Sequence, residues 1–252
     1  MNSPAPEMSH FFQALVESKN LVFMTGAGVS TASGISDFRS HKGLSSKEPK
    51  FEKKLHINYL NQNPKRFWEF YDTYMRIPEG VEPNVTHKAI AEIAKSRPTT
   101  VLTQNVDGLH EAVGEAEVLA LHGNRTTTCT ICAESTEDYP FHANCPAERI
   151  SQKGFPKPSL VRPNVVLYGE HLDKNLWAKA VAKMALADTL VIVGTSLKVY
   201  PFAGLTAYFR GDKAFYLNQY SPEETPALAV PLRQILGDFN VIFDHVHRSI
   251  SA

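Results

Sequence analysis

The chain lacks long apolar runs, has no excess of charge of either sign and contains few cysteines, and each shortage excludes a class of protein. No stretch approaches the ~18 apolar residues that a membrane helix requires. The opening MNSPAPEMSHFF has no basic segment leading into an apolar one, so neither a span nor a secretory leader is expected. Lys and Arg total 26 against 26 for Asp and Glu, and no broad field draws the protein to nucleic acid or to an anionic bilayer. Three cysteines in 252 residues, an odd number in a long chain, do not make a disulfide framework, and the cytoplasm is the expected location. No internal repeat or low-complexity tract is present. What remains, 43% hydrophobic and 21% charged residues, suits a globular protein with a large core, built as one α/β domain or as a large domain carrying a smaller one.

Short apolar runs at residues 21–24, 100–103, 118–121, 164–168, 190–193, 214–217 and 241–243 read as strands of a parallel sheet. Helical patterns fill residues 87–96, with Ile90, Ile93 and Ala94 on one face, and 175–187, with Leu176, Ala180, Val181 and Met184 on one face. This alternation predicts a doubly wound, Rossmann-like α/β fold. Two stretches interrupt it. Residues 41–85 start polar and then carry an aromatic helical pattern around Phe67, Trp68, Phe70, Tyr71 and Tyr74, while 125–160 hold all three cysteines, several prolines and little periodicity. Both read as insertions forming a small lobe (about 41–85 and 125–160) on a large lobe (about 1–40, 86–124 and 161–252).

The first apolar run breaks into Gly26-Ala27-Gly28, followed by Ser30, Gly34, Asp37, Phe38 and Arg39. A strand that ends in glycines and enters a helix aims backbone N–H groups at one point, an arrangement suited to a pyrophosphate. Glycine there lets phosphates approach the backbone. The Gly-x-Gly-x-x-Gly fingerprint is incomplete, since Thr31 stands at its third glycine, and a plain strand-to-helix turn accounts for the glycines equally well. The Asp37-Phe38-Arg39 cluster beyond them favours a site.

Three further strand ends carry polar groups. Gln104, Asn105 and Asp107 follow the run at 100–103, a placement typical of ligand groups in open α/β sheets. A capped helix start, with Asn105 or Asp107 as N-cap, is the plainer alternative. His122 follows the run at 118–121, where an imidazole of near-neutral pKa suits a general base. Gly194, Thr195 and Ser196 follow the run at 190–193, and Asn218 follows the run at 214–217. Their convergence on one sheet edge counts for more than any single member.

Together these residues resemble the sirtuin family of NAD-dependent protein lysine deacylases, in its short bacterial form, over roughly residues 20–245. Gly26-Ala27-Gly28-Val29-Ser30 and Gly34-Ile35-Ser36-Asp37-Phe38-Arg39 are similar to the family's cofactor motif. Thr103-Gln104-Asn105-Val106-Asp107 and His122-Gly123 are similar to its catalytic motifs, Val165-Val166-Leu167-Tyr168-Gly169-Glu170 to its substrate strand and loop, and Gly194-Thr195-Ser196-Leu197 to a further NAD contact. The resemblance implies that Gly26, Ala27, Gly28 and Ser30 hold the NAD phosphates and that Asp37, Phe38 and Arg39 line the nicotinamide side. It also implies that Gln104 meets the nicotinamide ribose, that Asn105 and Asp107 position the reactive end, and that Gly194, Thr195, Ser196, Asn218 and the backbone near Phe239 serve the adenosine half. His122 would be the general base. An acyl-lysine peptide would add as a strand between Val166, Tyr168, Gly169 and Glu170 on one side and Val199 on the other.

Three departures from the family pattern stand out: Ser36 in place of proline, Tyr168 in place of phenylalanine, and an incomplete second cysteine pair. The family holds structural zinc with two Cys-x-x-Cys pairs. Here Cys129 and Cys132 form the first, while Cys145 is followed three residues later by Glu148, leaving Glu148 or nearby His142 as a fourth zinc ligand, or a metal-free lobe with reduced thiols. Family members that prefer succinyl or malonyl groups carry Tyr-x-x-Arg in the small lobe. The corresponding residues, Tyr71 to Tyr74, end without arginine, which favours uncharged acyl groups, acetyl first; the two tyrosines also fit a core role. Competing readings are an NAD glycohydrolase or ADP-ribosyltransferase on the same scaffold and a non-catalytic NAD or ADP-ribose sensor. A monomer is the default expectation.

Overall fold

The computed structural model describes residues 6–38, 43–143, 145, 160–222 and 226–251. Arg39 and Glu148 lie outside the described residues. The chain divides into two compact units, one comprising residues 1–37, 79–121 and 172–252, the other 38–78 and 122–171.

The first unit is built on a six-stranded parallel sheet of β1 (Leu21–Thr25), β2 (Thr99–Thr103), β3 (Glu117–Ala120), β6 (Thr189–Val193), β7 (Lys213–Asn218) and β8 (Leu232–Leu236), in the order β3-β2-β1-β6-β7-β8. Every residue of β1, β2 and β6 is buried, as expected for parallel strands covered on both faces. Side-chain alternation divides the core in two. Phe23, Val101, Val191 and Phe215 meet α1 (Pro6–Glu17), α6 (Val85–Ser96) and α9 (Phe239–Ser251) through Phe11, Ile90 and Phe243. Val22, Met24, Leu102 and Ile192 face the other way, toward Ala180 and Met184 of α8 (Lys174–Leu186) and toward Phe202. Chain order reverses between β1 and β6, so their carboxyl ends flank the topological switch point where open α/β sheets bind ligands.

The second unit contains the short helices α2 (Leu44–Lys47), α3 (Phe51–Lys54) and α4 (Ile57–Gln62), then α5 (Pro64–Tyr74), and an antiparallel pair, β4 (Gly123–Cys129) with β5 (Val161–Val165). α5 starts on Pro64, whose fixed φ suits a first helical turn. It buries Phe67, Trp68, Phe70 and Tyr71; Trp68 stacks on Tyr139 at 4.2 Å and donates to the Val161 carbonyl at 3.2 Å.

Two expected strands differ. The run at 164–168 contributes no strand to the main sheet: β5 pairs with β4, so residues 161–171 fall in the second unit. The run at 241–243 is helical, because Phe239, Ile242, Phe243 and Val246 recur at helical spacing and are all buried. The sixth strand of the main sheet is β8 instead.

Candidate functional site

At the carboxyl ends of β1, β2 and β6 the chain gathers the polar residues singled out by the sequence. β1 runs into Gly26, which caps a 3-10 helix spanning Ala27–Ser33. Gly28 N–H donates to the Gly194 carbonyl at 2.9 Å, and Gly26 N–H to that of Val193 at 3.3 Å. A Cβ on Gly28 would lie 2.7 Å from the Gly194 oxygen, and one on Gly26 2.7 Å from the Thr195 Cβ. These glycines are therefore required by the close approach of two strand-end loops, a reason distinct from the expected approach of phosphate to backbone. Ala27 is half-buried beside them.

Beneath this turn lies a polar network. The Ser30 hydroxyl donates to Asp107 Oδ2 at 2.7 Å and accepts from Asn105 Nδ2 at 3.1 Å. Asn105 Nδ2 also donates to the Gly26 carbonyl at 3.1 Å, so both of its amide hydrogens are engaged. Asp107 Oδ1 accepts the Leu109 N–H at 2.9 Å, at the start of α7 (Leu109–Val113). The N-cap of α7 is Gly108, so neither Asn105 nor Asp107 takes the expected cap position; Asp107 precedes it and ties the Leu109 N–H to the network. Ser30 is fully buried, and its hydroxyl ties Asn105 to Asp107.

Gln104 Nε2 donates to Thr195 Oγ1 at 2.9 Å, bridging the ends of β2 and β6. Asn218 donates to the Thr195 carbonyl at 3.0 Å and to the Tyr216 hydroxyl at 2.8 Å. Its two amide hydrogens shape the turn at Gly194 and Thr195. Ser196 is half-buried, while Phe239, at the start of α9, belongs to the apolar core. Asp37 is half-buried.

Sequence reasoning missed three members of this unit. Asn84 donates to the Val29 carbonyl at 2.7 Å and to Ser33 Oγ at 2.9 Å, fastening the 3-10 segment. It also caps α6 reciprocally with His87, a box whose signal is Asn84-Val-Thr-His87 before an apolar helical run. His87 and His110 are buried with ring centroids 4.6 Å apart. Burial, partly opposed by the Asp107 carboxylate, lowers the His87 pKa to about 4, and burial with the neighbouring His87 holds His110 well below its ordinary value.

In the second unit, His122 is half-buried at the entry to β4, and its carbonyl accepts the Val166 N–H at 2.8 Å. Gly123 (φ +85) follows, and a Cβ there would collide with the Asn164 carbonyl. Tyr168 N–H donates to the Leu55 carbonyl and its carbonyl accepts from Ile57 N–H, both at 3.0 Å. The Val166 N–H and both backbone groups of Tyr168 are therefore already paired, and the exposed position of this loop is Gly169. Glu170 receives Arg162 Nη1 and Nη2 at 2.6 and 2.8 Å and the Leu167 N–H at 2.9 Å. Burial raises its pKa, but these donors outweigh that effect and hold it below the ordinary carboxylate value. Phe38, Phe51 and Tyr168 form an aromatic row, with centroids 6.0 and 6.4 Å apart. In α5, Tyr71 is buried, which pushes its phenol up to about 12, whereas Tyr74 is 39% exposed and lies against Phe70. Val199, in the first unit, is half-buried.

Cys129, Cys132, His142 and Cys145 bring their ligand atoms within 4.8 Å of one another. Sγ of Cys129 and Cys145 are 3.6 Å apart, and Cys132 Sγ lies 3.5 Å from His142 Nδ1. Tetrahedral zinc with ~2.3 Å bonds to sulfur needs ligand separations of about 3.5–3.8 Å, so three thiols and an imidazole fit a structural zinc site. Among the described residues the fourth donor of this group is His142.

Residues 26–201 match the model of the Sir2 family. A Listeria innocua protein named NAD-dependent protein deacetylase is 36% identical over 247 residues, 95% of this chain and 100% of that one. One of the same name from Caldivirga maquilingensis is 41% identical over 197 residues, 75% of this chain and 73% of that one. Among solved structures, a Sir2 homologue–NAD complex superposes with TM-score 0.77 at 30% identity, covering 96% of this chain and 93% of that one. A Sir2 variant with a deacetylated p53 peptide and 3'-O-acetyl ADP-ribose superposes with TM-score 0.80 at 26% identity, covering 97% of each chain.

Proposed function

The chain belongs to the Sir2 family, and from that premise we propose that it is an NAD-dependent protein lysine deacetylase, releasing nicotinamide, O-acetyl-ADP-ribose and free lysine. The observation that carries this reading is the Ser30–Asn105–Asp107 network at the switch point, in a chain whose relatives bear that activity in their names.

In this reading NAD is a substrate that is cleaved. The backbone at Gly26, Ala27 and Gly28 receives its phosphates, while Ser30 holds Asn105 and Asp107 so that the free Asn105 carbonyl faces the ribose and nicotinamide. Asp37, Phe38 and Arg39 line the nicotinamide side. Gln104 and Ser196 meet the ribose and the adenosine half, and Asn218 acts there through the Gly194–Thr195 turn, beside the backbone near Phe239. The acetyl oxygen attacks C1′ of the ribose as the glycosidic bond to nicotinamide breaks, giving an alkylimidate. His122 takes the proton of a ribose hydroxyl as that oxygen attacks the imidate carbon; the C–N bond then breaks to release lysine as the amine, and one water adds to the acylated ribose to leave O-acetyl-ADP-ribose. Phe38 and Tyr168 supply an apolar wall that limits attack by water.

The peptide binds as an added strand through backbone contacts at Gly169 and Glu170. The Arg162–Glu170 pair fixes that loop, and Val166 and Tyr168 support it through their backbone bonds. Tyr71 and Tyr74 border the acyl end without an arginine partner in their motif, which favours acetyl over succinyl. Zinc held by Cys129, Cys132, His142 and Cys145 would crosslink the end of β4 to the following loop and take no part in the chemistry. No helix among the described residues is long and apolar enough to cross a membrane, and the enzyme is read as a cytoplasmic monomer acting on acetylated proteins.

The test is nicotinamide release from NAD with acetyl-lysine peptide, succinyl-lysine peptide or no peptide. Release that depends on the acetyl peptide, with succinyl turnover at least about tenfold lower for want of the arginine contact, is expected. Release independent of peptide would indicate a glycohydrolase, and NAD binding without release would indicate a sensor.

A further inference from the structure

A buried imidazole that the reaction does not use connects to the nucleotide pocket. His110 on α7 is 3% exposed, and its Nε2 lies 3.1 Å from Thr25 Oγ1, the last side chain of β1. The Thr25 hydroxyl donates to Thr103 Oγ1 at 2.8 Å. In this direction of bonding, Nε2 of His110 is the donor to Thr25. Thr103 Oγ1 also accepts the backbone N–H of Asn105 at 3.0 Å. The chain of donors runs from His110 to Thr25 to Thr103, and Asn105 meets it from the other side.

We propose that His110 is a positioning residue for the NAD pocket, fixing the Asn105 backbone through the Thr25 and Thr103 hydroxyls and thereby aiming the Asn105 amide. The proposal rests on reading Asn105 as the group that faces NAD. Three features support it. Gln104 N–H still bonds the Thr25 carbonyl at 3.1 Å, and the bond from Asn105 N–H to Thr103 Oγ1 anchors the next residue, the second beyond β2. Asn105 spends both amide hydrogens on Gly26 and Ser30, so the direction of its remaining carbonyl depends on where the backbone is held. His87 packs against His110 at 4.6 Å and, through its cap with Asn84, belongs to the group that fastens Val29 and Ser33. The imidazole pair therefore underlies both loops of the pocket at once. Burial keeps both rings neutral.

Two measurements on the intact protein test this without any acyl peptide: amide exchange at Asn105 by NMR, and NAD affinity by calorimetry. His110→Leu removes the donor, and Thr103→Val removes the relay hydroxyl with little change of shape. Each should release the Asn105 N–H to exchange and weaken NAD binding about tenfold, the scale of one buried hydrogen bond. Thr103→Ser and His110→Gln, which restore a hydroxyl and an N–H donor, should recover most of both losses. If His110→Leu fails to fold, Thr103→Val carries the test, because a β-branched residue at a strand end preserves the backbone. Loss of Asn105 protection with NAD affinity within about twofold of wild type would overturn the proposal, as would weakened affinity with Asn105 still protected. Absence of deacetylation by the wild-type protein would count against the functional reading alone.

Discussion

The two units solve the problem of buried polar groups in opposite ways. In the first, Ser30, Asn105 and Asp107 satisfy one another while Gln104 bonds Thr195, so the chain itself holds these side chains in place. In the second, Cys129, Cys132, His142 and Cys145 crowd soft donors together in a way that a tetrahedral cation would reconcile. One unit is preorganised by the chain itself. The other offers a donor set that a metal would complete, so binding and stability should respond to different perturbations.

The largest expected effect separates binding from chemistry. His122→Ala should lower kcat about 10²- to 10⁴-fold, the usual contribution of a general base, while calorimetry shows NAD affinity nearly unchanged. Loss of affinity in step with turnover would place His122 in binding and blur the contrast between the units.

Removing the metal comes next. The protein should carry one zinc per chain by atomic absorption. Chelation, or Cys145→Ser, should expose the amides of β4 and β5 to exchange and abolish most turnover, while amides of β1, β2 and β6 stay protected. Simultaneous loss of protection in both units would show that they do not differ in the way described.

How much of this was legible in sequence follows the same division. β1, β2 and β6 are fully buried, so their apolar runs announce them, and the polar residues just beyond mark the strand ends. β8 was missed because Leu232-Arg-Gln-Ile-Leu236 is an edge strand with only Ile235 buried. β4 was missed because Gly123-Asn-Arg-Thr-Thr-Thr-Cys129 is largely polar and pairs outside the main sheet. Val241, Ile242 and Phe243 look like a strand in isolation, since β-branched residues dominate so short a window, and the buried positions at Phe239 and Val246 are needed to see the helix. The glycines at 26 and 28 were recognised as essential, but sequence could not show that another strand end lies against them. The His110–Thr25–Thr103 link joins residues 85 and 78 positions apart, and no local pattern encodes it. The sequence leaves His142 and Glu148 as alternatives for the fourth metal ligand; the fold brings the His142 ring to Cys132, and Glu148 lies outside the described residues.

A smaller effect tests the preorganised network directly. Ser30→Ala leaves Asp107 Oδ2 and an Asn105 amide hydrogen without their partner, which should cost about 1.5–3 kcal/mol and appear as weaker NAD binding with metal content unchanged. Weakened metal retention instead would contradict the separation of roles.

An effect of comparable size is the pH dependence carried by the buried imidazoles of the first unit. His87 titrates near 6.5 when unfolded but at about 4 when folded. The unfolded state therefore takes up a proton first, and stability that is fully present above about pH 6.5 is lost as the pH falls toward 4, by on the order of 3 kcal/mol at most. His110, lowered by the same burial, acts in the same direction. The thermal midpoint should fall over this window, and His87→Gln should flatten the slope. An unchanged slope in that variant would show that the pair does not titrate as its burial demands.

The most direct test of the central claim is product stoichiometry, measured by mass spectrometry after incubating an acetyl-lysine peptide with NAD. The account predicts one nicotinamide, one O-acetyl-ADP-ribose and one free lysine for each NAD consumed. Free ADP-ribose with the acetyl-lysine left intact would contradict it.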